Sequence, residues 1–293
     1  VKKIWLALAL VLCVAQVASA EVSVVDDTGV RITLAHPARR VISMAPHVTE
    51  LLFAAGGGKR IVGAMNYSDY PAEARSIPSV GTNSQIDLER VIALKPDLLI
   101  VWESGNRARQ IEQLARLGIP VFHSEPRRLE QVATSIERFG QLLGTGQQAQ
   151  AAAADYRARI AGLAARYGHN APVRVFYQVW DKPLFTLNDQ QIVSDAIRLC
   201  GGQNIFGKLA VIAPELNVEA VLQQDPEVIV SGDEHAFGDR GVGIWKGYRS
   251  LLAVKRQNLV TLDGELLTRP GPRTAQGAAQ LCEAIEQARR RRP

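Results

Sequence analysis

The 293-residue chain is poor in cysteine (three), methionine (two) and aromatic residues (6%), and no short catalytic motif occurs in it. There is no CxxC pair, which excludes a thioredoxin-type redox centre or a zinc ribbon. There is no HExxH, GxSxG or P-loop, which removes the commonest zinc protease, serine hydrolase and nucleotide-hydrolase signatures. No spacing of Asp and Glu singles out an acid and a base. Charge of one sign is also scarce: 34 basic residues face 29 acidic ones, too even a balance to argue for nucleic acid. The one long apolar run, residues 4–14, is too short to span a bilayer with margin. With 47% hydrophobic and 22% charged residues, the chain can bury a full core, so global disorder is excluded as well.

What is present begins with a leader. Lys2 and Lys3 precede the apolar run, and Ala18, Ser19 and Ala20 form a small-x-small site before Glu21. This pattern predicts a secretory signal over 1–20, cleaved after Ala20, and export to the periplasm. Its loss lowers the formal charge from +5 to +3. Four of the remaining cations, Arg289 to Arg292, form a tail expected to be a solvated end. Cys13 leaves with the leader, and the remaining pair, Cys200 and Cys282, reads as one disulfide in an exported chain. Two metal-binding or catalytic thiols are the alternative, without a CxxC or a neighbouring His to support it. The bridge would close a loop of about 82 residues, worth roughly 4 kcal/mol on the chain-entropy model.

Along the chain, residues 22–34 alternate apolar and polar around Asp26, Asp27, Thr28 and Gly29, a hairpin pattern. A buried strand over 40–44 stops at Pro46, and Thr49 is placed to cap a helix over 50–55. Short helices are predicted over 88–94, 107–117 and 129–143, and strands over 97–102 and 119–123. The strands are continuous apolar runs alternating with helices, the pattern of a parallel sheet covered on both faces. Residues 147–167 predict one helix of about 21 residues and ~32 Å, with Tyr156, Ile160, Leu163, Ala164 and Tyr167 on one stripe. The α/β pattern then restarts at 173–177.

The restart is a repeat. Residues 87–101 align without a gap on 217–231, each with a cap residue, a Glu two later, an apolar helix face, a proline and a buried strand. A second match sets 55–61 on 199–205. The fold class expected is therefore α/β: two Rossmann-like α/β lobes, 21–145 and 170–293, joined by a single long α-helix, 146–169, with a ligand cleft between the lobes. Open α/β sheets bind at the carboxyl ends of their strands, and a single stiff helix implies a largely pre-formed cleft.

Arg40 to Ser43, Pro46 to Gly56, Tyr67 to Pro71, Asp87 to Asp97 and Cys200 to Phe206 resemble the periplasmic cobalamin-binding component of bacterial ABC importers. That component belongs to the iron-siderophore, haem and cobalamin class of solute-binding proteins. The resemblance implies two α/β lobes on one long helix, a corrinoid ligand rather than a cofactor, no enzymatic step, and a monomer that docks on an ABC permease dimer in the inner membrane. It implies ligand contacts at Tyr67, at Trp102 and along the stretch Glu265, Leu266, Leu267, Thr268 and Arg269, with Trp180 as a further aromatic. It places the disulfide at Cys200 and Cys282, and permease docking at Glu89 and Glu219, the glutamates that the repeat superposes. The alternatives are a haem or ferric-siderophore receptor of the same class and, more remotely, a zinc or manganese receptor or an exported α/β enzyme.

Each of these residues has a plainer reading. Glu89 and Glu219 would favour a helix dipole in any case. His47 follows a strand and is of the type that ligates cobalt or haem iron axially, but a capping or hydrogen-bonded histidine is the commoner case. His123 and Glu265 would join it in a zinc or manganese site. His36, His169 and His235 are expected in solvated loops, and Trp245 in surface packing. Arg269 and Arg273 are suited to a ligand phosphate or carboxylate.

Overall fold

The computed structural model describes residues 21–232 and 240–293; the expected leader and His235 lie outside them. A β-hairpin, Val22–Val25 against Arg31–Leu34, opens the described chain. Its turn is organised by buried Asp26, whose carboxylate accepts from the amides of Thr28 and Val30 and from the Thr28 hydroxyl.

Two four-stranded sheets follow. The first runs, edge to edge, Ile61–Ala64, Val41–Ser43, Leu98–Trp102 and Val121–Ser124. The second runs Gly202–Asn204, Val173–Gln178, Val228–Ser231 and Leu259–Thr261. Every pairing in both is parallel. Counted in chain order within its own half, each sheet has the order 2-1-3-4. The repeat seen in the sequence is thus a repeat of topology.

The helices are α1 (Pro46–Ala54), α2 (Leu88–Ala93), α3 (Ala108–Ala115), α4 (Leu129–Leu143), α5 (Gly146–Tyr167), α6 (Ile192–Leu199), α7 (Val218–Gln224), α8 (Leu252–Lys255), α9 (Gly264–Thr268) and α10 (Thr274–Arg290). The 22-residue α5 is the long helix read from the sequence. It packs tightly on α4: a Cβ on Gly140 would fall 2.2 Å from that of Ala149, so only glycine permits this approach. Tyr156 of α5 is buried and shares a 2.8 Å hydrogen bond with Thr274 of α10. One apolar core runs without a break from the first sheet through α4 and α5 to the second sheet and α10. Each sheet also has a private core on its other face.

Cys200, just past α6, is bonded to Cys282 of α10, both fully buried. The bridge ties two helices that cover one face of the second sheet. The repeated helices α2 and α7 are capped alike: Asp87 accepts from the Arg90 amide and Asn217 from the Ala220 amide, each at 2.8–2.9 Å.

Three expectations are corrected. Helix α1 starts at Pro46 and not at Glu50; proline occupies its first turn, where no amide is needed. Thr49 is therefore internal, and its hydroxyl bonds Ser43 and Ser68. Trp245 is not surface packing: it is fully buried in the second sheet's private core, edge-on to Phe176, with Nε1 donating to Gln178 at 2.6 Å. The arginine tail is not a solvated end. Arg289 donates to the carbonyls of Ala171, Cys200 and Gly201, Arg291 to that of Gln257, and Arg292 pairs with Glu227 and bonds the Pro172 carbonyl.

Candidate functional site

In an open sheet of order 2-1-3-4, the chain leaves strands 1 and 3 in opposite directions, and a crevice opens at their carboxyl ends. In the first half those ends are Ser43, followed by α1, and Trp102. Asn106 joins them: its side chain accepts from the Trp102 amide at 2.7 Å and donates to the Met44 carbonyl at 2.9 Å. The Trp102 ring lies against Gly105, where a Cβ would come within 1.9 Å of it. His47 of α1 also meets it in an edge-to-face contact, with ring centroids 5.6 Å apart. The indole is thus fixed by its surroundings while remaining partly exposed.

His47 is 3% exposed, and its Nε2 has no hydrogen-bond partner. Burial, with the positive charge of Arg269, lowers its pKa to about 3. The ring is therefore neutral at any physiological pH. His123 is occupied by a hydrogen bond from its Nδ1 to Glu103. Among the described residues, no group of three or more His, Cys, Asp or Glu side chains is arranged to hold a metal ion.

Strand 2 of the first half ends in the loop carrying Tyr67. The loop is anchored by Ser68, which accepts from Thr49 of α1 at 3.0 Å. Tyr67 is 73% exposed and has φ of +66°, a left-handed conformation that costs a non-glycine residue energy. An aromatic ring held out of the core at some strain is suited to contact with a partner.

Strand 4 of the second half ends just before α9, which Asp263 caps. Arg269 follows that helix and crosses to the first half. Its Nη1 lies 3.5 Å from the Tyr67 carbonyl and from Asp69, while its Nη2 pairs with Glu265 at 2.6 Å. Arg273 crosses as well, gripping Glu50 of α1 through Nε at 3.0 Å and Nη2 at 2.6 Å, with its guanidinium 4.2 Å from the Tyr70 ring centroid. Glu50 is 3% exposed, and burial raises its pKa although the Arg273 bonds act against that. Gly271 gives this pair room, since a Cβ there would come within 3.1 Å of the Glu50 carboxylate.

The structure thus brings Tyr67, Trp102 and His47 of the first half to the same junction as Glu265 and Arg269 of the second. It separates Leu266 and Leu267 from them. These leucines are 3% and 2% exposed, turned into the interior by the short helix, so contact from this stretch falls to Glu265, Thr268 and Arg269. Trp180 sits just past strand 1 of the second half, in a two-residue pairing of Trp180–Asp181 with Leu184–Phe185, and is partly exposed. Its Nε1 donates to the Lys182 carbonyl at 2.9 Å. Glu50, Asp69 and Tyr70 were not singled out from the sequence. The signal for Glu50 was there: a lone carboxylate in the apolar run of α1.

Glu89 and Glu219 are each the second residue of a short helix and each exposed. A cavity of about 1120 Å³ opens on the flank of the first half and reaches the junction at Glu50, Tyr70 and Pro272, with Phe53, Ile77 and Gln148 also lining it. Tyr67, Trp102, Trp180 and Arg269 do not line it.

Comparison with known proteins gives a consistent set. A family model described as "Periplasmic binding protein" matches residues 41–266. The "Vitamin B12-binding protein" of Vibrio parahaemolyticus is 37% identical over 257 residues, covering 87% of this chain and 92% of that protein. The crystal structure of the periplasmic vitamin B12 binding protein BtuF of Vibrio cholerae superposes with a TM-score of 0.80 at 36% identity, over 86% of this chain and 98% of that one. The periplasmic heme-binding protein RhuT from Roseiflexus sp. RS-1, in apo form, superposes with a TM-score of 0.74 at 26% identity, over 86% and 99%.

Proposed function

The chain belongs to the periplasmic binding protein family, and from that premise we propose that it captures a corrinoid of the vitamin B12 type between its two lobes and releases it, chemically unchanged, to an ABC permease. The lobes are residues 21–145 and 170–293, and 146–169 is the strut between them. The observation that carries this reading is the placement of candidate residues at the carboxyl ends of two sheets of identical topology. Tyr67, Trp102 and His47 come from one sheet, and Trp180, Glu265, Thr268 and Arg269 from the other. Aromatic faces suit a flat macrocycle, and burying one against Tyr67, Trp102 and Trp180 supplies affinity without any reactive group. The names of the relatives at 36–37% identity point to the same ligand.

His47 takes no part as an axial ligand in this reading. Its imidazole lies edge-on against Trp102 and is closed off from solvent, so its role is to hold the indole. The acceptor is a permease dimer, reached through Glu89 and Glu219. Two superposable acidic points, one per lobe, match a partner built on a two-fold axis. The site of action is the periplasm, the compartment in which a buried disulfide persists.

Haem is the second reading, favoured by the likeness to a heme-binding protein at 26% identity. Calorimetric titration with cyanocobalamin and with hemin separates the two. Binding of cyanocobalamin one to one, at about 1 μM (some −8 kcal/mol) or tighter, is expected. Hemin binding at that level with no response to cyanocobalamin would replace the corrinoid reading with the haem one.

A further inference from the structure

Arginines at a ligand cleft ordinarily suggest an acidic ligand. Here both are already occupied. Arg269, with its side chain 18% exposed, is paired with Glu265 at 2.6 Å and has Asp69 at 3.5 Å. Arg273, 17% exposed, holds both oxygens of Glu50 and has the second oxygen of Glu265 at 3.8 Å. Asp263, two residues before Glu265, adds another carboxylate to the field at Arg273. Carboxylates therefore outnumber guanidiniums at this junction, and neither arginine is a spare cation.

We propose that Glu265 and Glu50, by holding Arg269 and Arg273 in ion pairs, are specificity-determining residues that favour a macrocycle carrying amide side chains over one carrying carboxylates. The inference rests on the corrinoid reading above and deepens it.

The physical argument compares the two kinds of peripheral group. A ligand carboxylate can only accept hydrogen bonds. A carboxylate that accepts from Arg269 sits beside Glu265 and Asp69 with no donor to offer either, a juxtaposition of like charges that specific sites use to reject wrong partners. A ligand carboxamide both accepts and donates. Its oxygen can take a free N–H of Arg269 while its NH₂ donates to Glu265, so the existing pair is kept and both new groups are satisfied. Neutral His47 beside them supplies no charge to offset an incoming anion. The geometry is cheap to enter for a neutral periphery and costly for an acidic one.

The test uses two corrinoids with one ring and different edges. Dicyanocobinamide carries amides, and dicyanocobyrinic acid carries the same positions as carboxylates. Affinities for the wild-type protein and for Glu265→Gln are measured by absorbance titration at low and high salt. Glu265 is half-exposed, so its neutral variant keeps the fold, which thermal melting checks. The wild type is expected to prefer the amide form by about a hundredfold at low salt, and Glu265→Gln to narrow that ratio at least about tenfold. High salt is expected to narrow the wild-type ratio too, because part of the repulsion is screened. A wild type that binds both forms alike overturns the inference and leaves the corrinoid reading standing. So does a ratio that moves less than about tenfold in Glu265→Gln. A wild type that binds neither form overturns both.

Discussion

His47 and Glu50 sit three residues apart on α1, both almost wholly buried, and their titrations pull in opposite directions. The folded pKa of His47 is lowered to about 3, so between its ordinary value of 6.5 and 3 the unfolded chain takes up a proton that the folded chain refuses. That part of the stability is present above pH 6.5 and is lost as the pH falls toward 3, on the order of 4 kcal/mol at the limit. Glu50 has a raised pKa; its contribution is present at low pH and is lost as the pH rises through the folded value. The two are separated by difference. Urea melts from pH 7 to pH 4 are expected to show a flatter decline in His47→Phe than in the wild type, whereas parallel curves would mean that His47 is not buried neutral. Gly105 gives a second test at this scale. A methyl group there must push the Trp102 ring, and Gly105→Ala is expected to weaken cyanocobalamin binding about tenfold or more. The sequence showed Trp102 at the end of a strand, but not the glycine, asparagine and histidine that fix it. Gly105 and Asn106 follow Trp102 within four residues, but only the turn's conformation brings them back onto it and onto Met44, and His47 comes from the distant helix α1.

The secondary elements were the legible part. Strands predicted over 97–102 and 173–177 are observed as Leu98–Trp102 and Val173–Gln178, and the helix predicted over 129–143 is Leu129–Leu143. Continuous apolar runs and a periodic stripe are local signals, and these elements obey them. The start of α1 was missed because Pro46 reads as a stop and only its context makes it a helix start. The role of the arginine tail was missed because four like charges look solvated until carbonyl acceptors come within reach. Two predictions belong here. Replacing Cys200 and Cys282 together by Ala unties α6 from α10 over a separation of 82 residues. It is expected to lower unfolding stability by about 4 kcal/mol, read from urea midpoints. Replacing Glu89 and Glu219 together by Ala, on the matched helices α2 and α7, is expected to leave corrinoid affinity within about twofold while cutting cellular uptake at least about tenfold. Loss of affinity with unchanged uptake would place these residues at the ligand rather than at the permease.

The two halves are joined three times: by α5, by a core common to both sheets, and by the Glu50–Arg273 and Asp69–Arg269 pairs. The first connection was legible as a long proline-free helical stripe. The third was not, because Glu50 and Arg273 lie 223 residues apart. Such a junction has little freedom to hinge, so the cleft is expected to be nearly the same shape with and without its guest. The topology says where that guest should sit. The large cavity on the flank of the first half is a second location by volume; it touches the junction at Glu50 and Tyr70 but is lined by none of Tyr67, Trp102 and Trp180. A crystal structure of the protein with cyanocobalamin decides between them. The corrin ring is expected between the lobes, in contact with Tyr67 and Trp102 on one side and with Trp180 on the other. A corrin lodged in the flank cavity, with those three rings untouched, would overturn the assignment of the cleft.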